Sequence, residues 1–114
     1  MRIEKSESGN VLILEILEKS LDASVAADFR NAIADEIQNG RQKIVLDLSH
    51  VSFMDSSALG AMVSVLKIMG QGGELVICGV RQAVMSVLAL TRLDRIFKIV
   101  PDQEEACFIL KPTA

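Results

Sequence analysis

A chain of 114 residues that is 50% hydrophobic, only 4% aromatic and carries a net charge of −3 is long enough for one domain with an aliphatic core. Its interspersed charges exclude the basic footprint of a nucleic-acid binder. No apolar run approaches the ~20 residues of a membrane span, and the charged start Met1–Lys5 is unlike a signal peptide.

Val11–Ile16, VLILEI, is rich in β-branched residues and reads as a strand, with Ile3–Lys5 as a short strand beside it. Val25, Phe29, Ile33 and Ile37 then recur at steps of four, which predicts an amphipathic helix capped by Asp22 or Ser24 and stopped at Asn39-Gly40. Lys43–Leu48, KIVLDL, reads as a buried strand. Helical spacing returns after Ser56 and ends at the glycines of Gly70–Gly73. Glu74–Val80 is a further strand, followed by a helix with Val84, Val87, Leu88 and Leu93 inward. Ile96–Val100 is a short strand closed by Pro101. A last helix opens with acids, as helix starts prefer, and is expected to bury Ala106, Ile109 and Leu110. The alternation implies an α/β fold: one domain over residues 1–114, with a mostly parallel central sheet and four helices packed on it. Cys78 in a strand and Cys107 in a helix are expected to be buried, reduced thiols of a cytoplasmic protein.

VSFMDSSALGAM, residues 51–62, places an acid and two hydroxyls between apolar runs, past the carboxyl end of a buried strand, where open α/β sheets put functional loops. It is also a helix start, whose first N–H groups lack partners, so Asp55 or Ser56 serves as a cap. The other reading is a chemical switch. Catalysis has little support: His50 is the only histidine, on the same loop and expected to be a solvated turn residue. There is no nucleophile elbow, no phosphate loop and no Cys or His pair at metal-ligand spacing.

On the helix that follows, Leu59, Met62, Val63, Leu66 and Met69 form one stripe. Ala58, Ala61, Val65 and Ile68 form a second, and together they span about twice the ~100° that a surface helix needs. The second stripe either packs on a neighbouring helix or is a partly exposed docking face for another protein, with Ala61 at its edge.

The segment KIVLDLSHVSFMDSSALGAMVSVLKIMGQGGELVICGV, continued through LTRLDRIFKIVPDQEEA, resembles the STAS-domain anti-sigma factor antagonists of bacteria, and Ser20–Asp22 is similar to that family's turn before its first helix. Two departures stand out. Ala58 occupies a position that is usually Gly, and Lys19-Ser-Leu-Asp replaces a Gly-Glu-Leu-Asp-like turn. The resemblance implies a non-enzymatic, monomeric, cofactor-free regulator with no metal site. Ser56 is the phosphoacceptor it implies, modified by a partner that is both anti-sigma factor and serine kinase, and restored by a metal-dependent serine phosphatase. Asp22, Asp55, Ser57, Ala58 and Ala61 are the expected partner-binding residues. Only the unphosphorylated form would bind and so release a sigma factor. The alternative is a STAS subunit or regulator of a lipid or anion transporter in the membrane. Neither nucleic-acid binding nor membrane insertion is expected.

Overall fold

The computed structural model describes residues 1–111. Strands β1 (Ile3–Ser8) and β2 (Val11–Ile16) form an antiparallel hairpin, turned at Gly9, whose φ of +62° lies in the left-handed region that costs glycine little. A two-residue strand β3 (Ser20–Leu21) leads to helix α1 (Ala26–Gln38) and strand β4 (Lys43–Asp47). A second short strand β5 (Phe53–Met54) leads to α2 (Ser56–Met69). Strand β6 (Glu74–Cys78), α3 (Gln82–Leu90), a 3-10 turn at Leu93–Arg95, β7 (Lys98–Val100) and α4 (Gln103–Leu110) complete the chain. The main sheet has the order β1-β2-β4-β6-β7, and all pairs except β1–β2 are parallel.

Successive side chains of a strand face opposite ways, so each strand serves two cores. Leu12, Leu14, Ile16, Ile44, Leu46, Leu75 and Ile77 meet α1, α2 and α3 around Phe29, Ile33, Met62 and Leu88. Val11, Ile13, Val45, Val76, Cys78 and Val100 meet only α4, through Ala106, Cys107 and Leu110. The main cluster is therefore well sheltered, and truncating Phe29 or Leu46 to Ala would cost about 2–5 kcal/mol.

Several expectations shift. Ile109 is 40% exposed, because in this short helix Ala106, Leu110 and Cys107, itself expected to be buried, share the face toward the sheet. Ile96 lies before β7 and is exposed. Val84 and Leu88 are buried as expected, while Val87 and Leu93 are half-buried. The only buried charged group among the described residues is Asp47, 6% exposed. Its Oδ1 accepts from Ser49 N at 2.8 Å, and its Oδ2 accepts from Gln103 Nε2 at 2.6 Å. Both carboxylate oxygens are thus partnered, as burial requires, and the second bond ties α4 to β4.

Candidate functional site at the start of α2

The loops that follow β2 and β4 are drawn together by a small parallel clasp. Ser20 pairs with Phe53 and Leu21 with Met54. Lys19 O accepts from Ser52 N at 2.8 Å and Phe53 N at 3.2 Å, and Leu21 O accepts from Asp55 N at 3.2 Å. The Asp22 turn therefore lies beside the Asp55–Ser57 junction.

Asp55 is extended, with φ −109° and ψ −177°, and is the N-cap of α2. Its Oδ1 accepts from Ser57 N at 2.9 Å and Ala58 N at 3.2 Å, satisfying two of the donors that a helix start leaves open. Its Oδ2 accepts from Ala23 N across the clasp at 3.1 Å. One carboxylate thus caps a helix and fastens the neighbouring loop. Because Asp55 does the capping, Ser56 is spared that role. Ser56 and Ser57 are exposed on the first turn, and neither hydroxyl enters a hydrogen bond among the described residues.

Asp22 behaves differently from the cap expected of it. Its Oδ1 accepts from Ser24 N at 2.9 Å and from the Ser24 hydroxyl at 2.5 Å, and these bonds hold its carboxyl below the usual carboxylate range. The N-cap of α1 is Val25, with no side-chain capping bond. Asp22 acts instead through its backbone, its carbonyl accepting from Val25 N and Ala26 N at 3.1 and 3.0 Å. Its carboxylate shapes the turn beside Asp55.

Of the two readings of the second stripe of α2, packing on a neighbouring helix is the one found, and the exposed docking face is not. Ala58 is 0% and Ala61 7% exposed, with Val65 at 1%, because α1 lies across this face. Alanines let the two helices approach closely, and Arg30 Nε of α1 donates to Ser64 Oγ of α2 at 2.8 Å along the same seam. Ala58 and Ala61 thus present almost no surface. The accessible surface around the junction is made by Ser56, Ser57, Gly60 and the half-exposed Asp22 and Asp55. Phe53, 52% exposed, adds an aromatic absent from the expected set. Its exposure follows from the clasp strand, in which Phe53 faces out and Met54 in; two residues are too few to show that alternation in the sequence.

His50 Nε2 is 2.6 Å from Glu15 Oε2, and no hydrogen bond joins His50 to Ser56 among the described residues. Among the described residues no group of three or more His, Cys, Asp or Glu could hold a metal ion, and no helix is long and apolar enough to cross a membrane. What the junction offers is an unengaged hydroxyl at a helix N-terminus, where the helix dipole favours an anion.

The STAS-domain family model matches residues 2–106. A Thermotoga maritima protein assigned by name as an anti-sigma factor antagonist is 38% identical over 97 residues, covering 83% of this chain and 86% of that one. The anti-sigma F factor antagonist of Paenibacillus polymyxa is 35% identical over 103 residues, covering 89% and 85%. The backbone is similar to a crystal structure of an assigned anti-sigma factor antagonist from Thermotoga maritima, with a TM-score of 0.87, 33% identity and coverage of 96% of this chain and 95% of that one.

Proposed function

This chain belongs to the STAS-domain family, and from that premise we propose that it is an anti-sigma factor antagonist of the bacterial cytoplasm, switched by phosphorylation of Ser56. The observation that carries this reading is the division of labour at the junction: Asp55 satisfies the helix, and the adjacent Ser56 hydroxyl is exposed.

Unmodified Ser56 is small and neutral, and it fits within an interface formed by Asp22, Asp55, Ser57 and the neighbouring Phe53. The partner is an anti-sigma factor with serine kinase activity, and a metal-dependent serine phosphatase reverses the modification. A phosphate adds about −1.5 to −2 charges. The helix N-terminus accepts that charge, so the fold survives. The interface does not, since the phosphate would be desolvated beside Asp55 and close to the Asp22 turn. A penalty of about 2–3 kcal/mol weakens binding roughly 30- to 150-fold.

The test uses the anti-sigma factor kinase recovered from the source cell by affinity pull-down with the unmodified chain. Incubation with ATP should place one phosphate on Ser56 by phosphopeptide mapping. Calorimetry should show tight binding of the unmodified chain and a loss in the range above for the phosphorylated one. Phosphate on Ser57 with Ser56 unmodified overturns the acceptor, and equal affinity of both forms overturns the switch.

A further inference from the structure

The four loops that follow the parallel strands gather at one end of the sheet, and β1, antiparallel to its neighbour, begins there too. A cleft of about 270 Å³ is lined by Arg2, Leu17, Glu18, Lys19, His50 and Arg81, and Lys19 joins it to the clasp. In a chain of net charge −3, three of those six residues are permanent cations and a fourth is the only histidine.

The internal charge balance leaves an excess. Arg2 Nη2 donates to Leu17 O at 2.9 Å, and its Nε lies 3.7 Å from Glu18 Oε2, so Glu18 is matched by Arg2. Glu15 is outside the lining, and His50 Nε2 lies 2.6 Å from its Oε2. Lys19 and Arg81 have no carboxylate partner among the described residues. Arg81 is held in place by donating Nε to Ser49 O at 2.8 Å, which leaves its terminal nitrogens available. Arg81 also stands at the start of α3, whose first turn has no side-chain cap and no acidic residue, so the helix dipole adds to the positive potential.

From this geometry we infer that the cleft is a binding site for a compact, multiply charged phosphate, held by the Arg81 guanidinium and the Lys19 ammonium. Its volume falls just below the ~300 Å³ at which pockets for drug-sized ligands begin, which favours a pyrophosphate-like group over a whole nucleotide. Its concave form favours a small ligand over a flat protein contact. Arginine supplies planar paired donors suited to phosphate oxygens, and lysine a mobile point charge. The carbonyl of Lys19 is the acceptor that holds Ser52 and Phe53 in the clasp. A bound anion therefore braces the backbone that carries Asp55 and Ser56.

The probe is inorganic pyrophosphate, titrated into the full chain at low salt and followed by amide chemical shifts. Saturable shifts are expected at residues 17–19, 49–50 and 81, weakening as salt rises. Lys19→Gln, an exposed side chain with no bond to lose, and Arg81→Gln should together weaken binding about tenfold or more while leaving the remaining spectrum in place. Ser56→Ala should bind pyrophosphate as the parent does, which keeps this test separate from that of the switch. The inference is overturned by shifts confined to other sites, by affinity unchanged in the double variant, or by no saturation below about 10 mM. A stronger response to a glutamate-rich peptide than to pyrophosphate also overturns it, since the cleft would then be a protein contact. ATP binding with the same residues shifted and about the same affinity supports it, with the nucleotide's phosphates as the source of the anion.

Discussion

Replacing Asp55 separates its two duties. In Asp55→Ala, Ser57 N and Ala58 N lose their acceptor at 2.9 and 3.2 Å, a cap worth about 1–1.5 kcal/mol. Ala23 N loses its partner at 3.1 Å, but Ala23 is exposed and water substitutes, so this adds only about 0.5 kcal/mol. The sum is about 2 kcal/mol, or a fall in Tm of roughly 8 °C for a domain of this length. Asp55→Asn keeps one oxygen for the helix but turns an amide donor toward Ala23 N, and should lose about 1 kcal/mol. Thermal melts by circular dichroism rank the three proteins. Amide exchange then assigns the losses: Ala23 should exchange faster in both variants, Ser57 and Ala58 faster mainly in the alanine variant. An alanine variant melting within about 2 °C of the parent, or an asparagine variant less stable than it, would refute the shared-carboxylate account.

Ala61→Glu should lose more than about 3 kcal/mol, because a charge would be forced between α1 and α2; a variant with the parent's urea midpoint would mean that this seam is open. Burial, with Asp47 as the next cause, pushes the Cys78 thiol up from 9.0 to about 12, so the unfolded chain releases this proton first as pH rises. The contribution of Cys78 to stability is constant below about pH 9 and falls between pH 9 and 12. Urea midpoints at pH 8 and 10 should differ more in the parent than in Cys78→Ala, and equal differences would count against it. Gln103→Leu removes the donor to Asp47 Oδ2 and should cost about 1–3 kcal/mol, read as a lower urea midpoint with α4 amides exchanging first.

The alternation of strands and helices was legible because each parallel strand is an apolar run and each helix has a periodic face. The clasp was not. Two-residue strands such as Ser20–Leu21 and Phe53–Met54 have no period to detect, and their pairing spans more than thirty residues of chain. The Asp-Ser-Ser junction stood out from its residue types alone, yet the choice of Asp55 as the cap needed coordinates, since Asp and Ser cap helices equally well. The second stripe of α2 marks the limit of periodicity: it identifies an apolar face without saying what covers it, and here α1 does. Ile109 was misplaced for a related reason, because in an eight-residue helix neighbouring positions compete for a single line of contact.

The sheet is shielded unequally. Three helices cover one face, while the other is closed by α4 alone, with Phe108 81% exposed on its outer side. Stability in such a layered fold is not uniform, and segments with little buried surface open without the rest. The last helix should therefore detach in brief excursions that leave α1, α2 and the Ser56 junction intact. Each excursion would uncover Val45, Val76 and Cys78 together. A thiol sealed in the resting protein would then be modified at a rate set by how often the lid lifts, so labelling kinetics at Cys78 become a clock for the motion of α4.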